Sequence, residues 1–408
     1  MHILLIHQAF AALGEPGGTR HHELARYLAG RGHRVSIVAS PVSYLTGTVA
    51  RQDVPGVQTM PADENITILR TYTYSALHKS FVHRIFSFLS FMLSSFVAAL
   101  RVPAVDLVWG TSPPIFQGLT AWAVARLKGK PFLFEVRDLW PAFAIQVGVL
   151  RNPWLIRASQ WLERFLYRHA DQVMVNSPGY VEHVRQHGAR RVALIPNGAD
   201  PRMFDPDGDG LAFRYQHDLA GRFVVLYAGA HGISNDLDVV LAAAANLQDQ
   251  PAIAIVLLGD GKEKPALMAR AAAMGLSNVF FLPPVPKTEM AAALAAADAC
   301  LAILKPIPLY ATTYPNKVFD YMAAGRPLLL AIDGVARRVV EEAQAGIYVP
   351  PGDSTALAAA MRRLAADPAA ARTMGLCGRQ AVIEKFDRAA LAEQLEALFQ
   401  DCVQRKAL

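Results

Sequence analysis

The feature that most restricts the fold is an alternation kept up over nearly all of the 408 residues: short apolar, strand-like runs separated by amphipathic stretches. Residues 3–6, 35–39, 107–109, 132–136 and 173–175 are such runs, with Gly, Pro or Asp at their borders. Between several of them lie helical patterns, among them 23–29, closed by Gly30 and Gly32, and 154–168. Strands that are apolar on both faces must be covered on both faces, which predicts a parallel sheet between two layers of helices. The series then restarts at 223–228, 253–258, 279–282, 300–304 and 327–331.

The break falls at residues 195–210, IPNGADPRMFDPDGDG, where turn-forming residues crowd together. A chain of this length exceeds one ordinary core. The expectation is an α/β protein of two doubly wound, Rossmann-like domains, 1–200 and 201–387, with an interdomain cleft. The segment 388–408 reads as an amphipathic helix that returns to brace the first domain. Open α/β sheets bind ligands at the carboxyl ends of their strands, so the cleft is the expected site.

Composition narrows the function classes. Hydrophobic residues at 53% exclude a disordered chain. The 40 Lys and Arg exceed the 34 Asp and Glu by six, which permits anionic partners such as phosphates or lipid headgroups but is no nucleic-acid signature. Cys300, Cys377 and Cys402 lie far apart and match no metal spacing, and an odd number without a framework fits reduced thiols in the cytoplasm. The first residues, MHILLIHQAF, read as a buried strand, with no basic leader.

Residues 85–100 carry no charge. At 16 positions the stretch is shorter than the roughly 20 residues that span a bilayer. Phe81, Phe86, Phe88, Phe91 and Phe96 make it aromatic, and His78, Lys79, His83 and Arg84 precede or open it. Two readings stand side by side: a helix in the membrane interface, giving peripheral contact through 79–101, or a buried helix of the first domain.

Several strand ends carry glycines. Gly17 and Gly18 precede a helix, where backbone N–H groups meet anions; the spacing is not G-x-G-x-x-G, so a nicotinamide cofactor is not expected. YAGAHG (227–232) and LLGDGKEK (257–264) follow two strands of the second series, and Lys262 and Lys264 bring charge there. The richest string is TTYPNKVFDYMAAGRPLL, 312–329. Pro315 suits a first helical turn, Lys317 and Asp320 share a face, and Gly325 ends the helix. Such a helix start, with Lys317, suits a diphosphate; Asp320 suits a pair of sugar hydroxyls. An ordinary Asp–Lys pair on a surface helix has the same pattern.

These strings, with GEPGGTRHHELARYLAGRGHRV, EVRDLWP, IPNGAD and GIYVPPGD, make nearly the whole chain resemble the retaining, GT-B-fold glycosyltransferases of family 4, or group 1. Within it the chain is most similar to the bacterial sub-group that builds O-antigen, capsule and colanic-acid-type polysaccharides. The resemblance implies transfer of a hexosyl or N-acetylhexosaminyl residue from a nucleotide-diphosphate donor, commonly uridine-linked, to a hydroxyl acceptor, with retention; since cations and N–H groups can hold the diphosphate, no metal or other cofactor is expected. Gly17 and Gly18 would approach the diphosphate. Gly259, Asp260 and Gly261 would line the nucleotide pocket, with Val285 beside the base. Asp320 stands for the second Glu of a paired-Glu motif and would bind the ribose.

The chain departs from the family pattern at informative places. Thr312, followed by Thr313, replaces the first Glu, and Ala230 and Asn235 stand where Arg and Lys are usual. Diphosphate charge is therefore expected to rest on Lys317, His231, Lys262 and the helix start at Pro315 and Asn316. Arg137 stands where many members have His, followed by Asp138; Asp138 and Glu135 are the candidates for offsetting charge on the sugar ring, with Glu135 alternatively anchoring its loop beside Arg137. The twelve histidines show no ligand spacing, so no metal site is expected. The expected acceptor is a lipid-linked saccharide at the inner face of the plasma membrane. A GT-B-fold sugar-nucleotide epimerase and a non-catalytic two-domain sugar-binding protein are the alternatives.

Overall fold

The computed structural model describes residues 1–43, 57–59, 65–75 and 81–407. It divides into two compact units: Met1–Ala12 with Gly17–Pro196 and Ala389–Leu408, and Asn197–Arg388 with Leu13–Pro16.

The first unit holds an eight-stranded sheet of β1 (His2–Ile6), β2 (Arg34–Ala39), β3 (Val57–Thr59), β4 (Ile66–Arg70), β5 (Leu107–Ser112), β6 (Phe132–Val136), β7 (Gln172–Val175) and β8 (Val192–Leu194). Their spatial order is β3-β4-β2-β1-β5-β6-β7-β8, all parallel except β3 on β4. The apolar runs are central strands because both faces are covered. Ile3 and Leu5 face Leu24 and Leu28 of the helix Arg20–Gly30, and Leu391, Leu395 and Phe399 of the helix Arg388–Ala407 join the same core. The helix Pro153–His169 starts at Asn152, whose side chain accepts from the N–H groups of Trp154 and Leu155.

The second unit holds six parallel strands, β9 (Phe223–Ala228), β10 (Ile253–Leu258), β11 (Val279–Leu282), β12 (Ala299–Ile303), β13 (Leu328–Ala331) and β14 (Gly346–Tyr348), in the order β11-β10-β9-β12-β13-β14. Alternate residues of one strand enter two separate cores. Val224, Leu226 and Ala228 pack on one side, Val225 and Tyr227 on the other. Strand order reverses between β1 and β5 in one unit and between β9 and β12 in the other, and ligands of doubly wound sheets bind at the carboxyl ends beside such reversals.

The 85–100 stretch lies within the helix Phe81–Arg101. Its 21 residues reach about 31 Å, enough to span a bilayer. One face is docked, however: Phe91, Ser87, Ser95 and Ala99 are buried, Ser90 Oγ accepts from the N–H of Tyr74, and Lys128 Nζ donates to the carbonyls of Leu100 and Val102. The opposite face is apolar and open, with Phe86 58% and Leu93 66% exposed and Val82 and Val97 beside them. The wholly buried helix is therefore corrected. Phe91, expected among the interface aromatics, belongs to the core, and Phe88 is half-buried against Phe116. His78 and Lys79 lie outside the described residues.

Candidate active site

In the second unit the glycine turns after β9 and β10 lie against each other. The N–H of Gly229 donates to Leu258 O (2.9 Å) and that of His231 to Asp260 O (2.8 Å). A Cβ on Gly259 would sit 1.9 Å from the Gly229 carbonyl oxygen, and one on Gly261 2.5 Å from that of His231. Both glycines also have positive φ. Their first requirement is the close approach of two backbones. Asp260 turns its carboxylate onto the N–H of Gly261 (2.8 Å). Lys264 is consumed structurally, donating to the carbonyls of Gly259 and Leu282, whereas Lys262 is exposed.

His231 corrects an expectation. Its ring is fully buried, neither nitrogen has a partner among the described residues, and burial, reinforced by Lys264 and Lys317, lowers its pKa to about 4. At neutral pH the ring is neutral in the free protein, so there the positive charge at this strand end rests on Lys317 and not on His231.

Lys317 is the cation at the end of β9. It enters from the first turn of the helix Asn316–Ala323, which Tyr321 fastens to the strand end: its hydroxyl accepts from Ala228 N–H (2.8 Å) and donates to Ala228 O (3.1 Å). The Lys317 ammonium lies 3.7 Å from the centroid of the Tyr227 ring and has no hydrogen-bond acceptor among the described residues. A Cβ on Gly229 would stand 2.7 Å from it, so that glycine makes room for the charge. Burial lowers its pKa to about 7. A desolvated ammonium with only a ring face for company is set up to receive an anion.

Asp320 is not Lys317's partner. One carboxylate oxygen pairs with Lys287 Nζ at 2.6 Å and the other accepts from Asn316 Nδ2 at 3.2 Å. Asn316 Oδ1 in turn accepts from the buried Arg388, which also donates to Gly198 O. Lys287, which sequence reasoning missed, comes from the same connection after β11 as half-buried Val285. Thr312 donates to Leu309 O (2.6 Å), the N–H of Thr313 donates to Tyr310 O (3.1 Å), and Pro315 occupies the cap position rather than the first turn.

In the first unit the carboxyl ends of β1, β5 and β6 gather a second polar cluster. Glu135 is fully buried: Oε1 takes the Arg20 guanidinium, and Oε2 accepts from His21 Nε2 (2.7 Å) and Trp109 Nε1 (3.0 Å). Burial alone would raise its pKa, but Arg20 and then His21 outweigh this and hold it at about 2. Its loop-anchoring partners are thus Arg20 and His21, while Arg137 donates instead to Pro113 O (2.9 Å). The adjacent Asp138 keeps a buried oxygen without a partner among the described residues, and burial pushes its pKa up to about 7 against the pull of Arg137.

His7, just past β1, was also missed. Its buried ring lies 4.3 Å from that of His21, neither nitrogen has a partner among the described residues, and burial and nearby cations keep it neutral. The only sequence signal was its place after the first strand. Gly17 and Gly18 are exposed, and a Cβ on Gly17 would lie 2.9 Å from that of Ala11.

The expectation of no histidine at ligand spacing is corrected too. His183 and His187, one helical turn apart, form a cluster with Glu163. Their rings stack at 4.0 Å and 16°, so their in-plane lone pairs run side by side instead of converging; His183 is bonded to Glu163 (2.8 Å) and His187 Nδ1 to His183 O.

Comparison with known proteins agrees with this anatomy. Residues 17–198 match the glycosyl transferase 4-like domain and 222–367 the glycosyl transferases group 1 domain. The putative colanic acid biosynthesis glycosyl transferase WcaI of Escherichia coli is 26% identical over 313 residues, 74% of this chain and 76% of that protein; other curated relatives are matched over between half and three quarters of their length. Sucrose-phosphate synthase from Thermosynechococcus elongatus superposes with a TM-score of 0.77 at 21% identity, covering 98% of each chain. HepE of Anabaena, in complex with UDP-glucose, gives 0.73 at 18% identity, over 98% of this chain and 100% of that one. At these identities the superpositions establish the fold.

Proposed function

The chain belongs to the glycosyltransferases of GT-B fold that join a glycosyl transferase 4-like domain to a group 1 domain, and from that premise we propose that it transfers a hexosyl-type sugar from a uridine-diphosphate donor to a lipid-linked saccharide, with retention and without a metal ion. The carrying observation is the buried ammonium of Lys317, held at the end of β9 with no acceptor among the described residues. As the glycosidic bond breaks, negative charge grows on the leaving diphosphate, and a fixed cation in a water-poor site offsets it without reorganising. Lys317 is assigned that role and Asp320, with Lys287 and Asn316, the ribose. Asp138 is assigned the opposite charge on the sugar ring.

A uridine donor is supported by the HepE complex with UDP-glucose, and a cell-surface polysaccharide product by the printed role of WcaI. The open apolar face of the helix Phe81–Arg101 supports a peripheral place at the inner face of the plasma membrane, where a lipid-linked acceptor would be met. The test is a thermal-shift panel of nucleotide diphosphates and their sugars. A ligand at 100 times its dissociation constant stabilises by roughly 2.7 kcal/mol. A shift with uridine nucleotides, absent with guanosine ones, supports the reading; no shift with any of them overturns it. Incubation with donor alone separates transfer, which then stalls, from epimerisation, which proceeds.

A further inference from the structure

At the amino ends of β6, β7 and β8, the sheet edge opposite Arg137 and Asp138, the first unit has a cavity of about 580 Å³ lined by Arg126, Arg168, Arg190, Arg191, His169 and Asp171. We infer that this cavity binds a phosphate-rich anion of the pyrophosphate class, presented by a lipid headgroup or free in solution.

The four arginines come from separate pieces of chain. Arg126 ends the helix Phe116–Lys128, Arg168 ends the helix Pro153–His169, and Arg190 and Arg191 lead into β8. Cations in a last helical turn answer the helix dipole, which accounts for two of them; it does not account for Arg190 and Arg191, nor for all four facing one hollow. None of the four guanidiniums has an ion-pair or hydrogen-bond partner among the described residues. The one carboxylate of the lining, Asp171, is already taken by Lys406 Nζ (3.0 Å) and the N–H of Phe132 (2.9 Å).

The four arginines are exposed, so an anion can reach them from solvent. Gly188 has positive φ, and a Cβ there would lie 2.7 Å from Arg168 Cγ and 2.9 Å from its Nε; the glycine gives Arg168 its course along the wall. Four like charges in one concavity repel each other, and guanidinium forks match phosphate oxygens two by two. The volume lies within the range of sites that hold small molecules.

The experiment measures binding by the full chain, in one arm to inorganic pyrophosphate by calorimetry, in the other to phosphatidylcholine vesicles with and without phosphatidylglycerol by flotation. Arg168→Ala with Arg190→Ala is expected to weaken binding in the responding arm roughly tenfold or more. Every chain carries Lys317→Met, so that pyrophosphate held at that lysine does not register, and the charge-matched pair Arg363→Ala with Lys385→Ala on the second unit is expected to leave the response unchanged. An arginine-dependent response to pyrophosphate alone assigns a soluble ligand; one to anionic vesicles, displaced by pyrophosphate, assigns the headgroup. No binding in either arm, or equal losses in the control pair, overturns the inference. Since turnover is not read, failure here leaves the transferase reading standing.

Discussion

Lys317 holds its ammonium 3.7 Å above the ring of Tyr227, at the carboxyl end of β9, and donates no hydrogen bond to any described residue. An unsatisfied buried donor is a cost to the unliganded fold. Lys317→Met, which keeps the stem and removes the charge, should stabilise the free protein by on the order of 1 kcal/mol while abolishing the stabilisation by a nucleotide sugar. Chemical denaturation with and without donor reads both effects; a variant that is less stable yet still responds to donor removes Lys317 from the site.

The same residue sets a pH dependence. Its pKa is lowered to about 7 in the free protein, and a bound diphosphate diester, which does not titrate in this range, raises it. Below pH 7 the lysine is already charged and affinity is flat. Above pH 7 binding must take up a proton, so affinity falls by roughly tenfold per pH unit until the bound-state pKa is reached. Titration calorimetry in two buffers of different ionisation heat should show proton uptake at pH 8, and none with Lys317→Met.

How far the sequence alone reached is decided by burial. The central strands at 132–136, 223–228 and 253–258 were legible to the residue because covering on both faces leaves an apolar run, and the half-buried edge strand at 279–282 because all four of its residues are apolar. β4, β8 and β14 were not: β4 mixes buried positions with partly exposed polar ones, and β8 and β14, at three residues each, are too short to stand out as runs. Within the site, Lys317 and Asp320 stood out by spacing, but their partners did not. Lys287 reaches Asp320 from a distant loop, and the neutrality of His231 follows from desolvation that no local pattern encodes.

The Lys287–Asp320 pair couples the ribose candidate to the fold. Removing one member of a largely buried pair leaves the other charge uncompensated, at a cost of about 3 kcal/mol. Asp320→Ala should therefore lower the melting temperature of the free protein as well as the response to donor. Adding Lys287→Ala should recover part of the stability and none of the donor response. Recovery of both would make the pair structural only.

Acid stability should depend on Glu135. Its pKa is held at about 2, well below the ordinary 4.5, so its contribution is complete above pH 4.5 and is lost as pH falls toward 2. His21 acts in the same direction: its pKa is lowered to about 4, so stability falls as pH drops from 6.5 to 4, where the unfolded chain takes up the proton first. Glu135→Gln should be less stable at pH 7 and lose the portion of the slope between pH 4.5 and 2. Denaturant midpoints across that range check it.

The two faces of the helix Phe81–Arg101 allow the proposed membrane contact to be tested apart from folding. Phe91 is fully buried, and Phe91→Ser should cost about 3 kcal/mol or more, so loss of membrane association in that variant would carry no meaning. Phe86 and Leu93 are open to solvent, with Val97 close to half exposed. Exchanging these three for Ser removes apolar area only from the outer face, so the melting temperature should stay near that of the parent chain. Each apolar side chain withdrawn from water contributes roughly 1.5 kcal/mol or more, so three of them outweigh what weak electrostatic attraction supplies. The triple variant should move from the membrane to the soluble fraction on cell fractionation. A triple variant that folds and remains with the membrane would show that this face is not the contact.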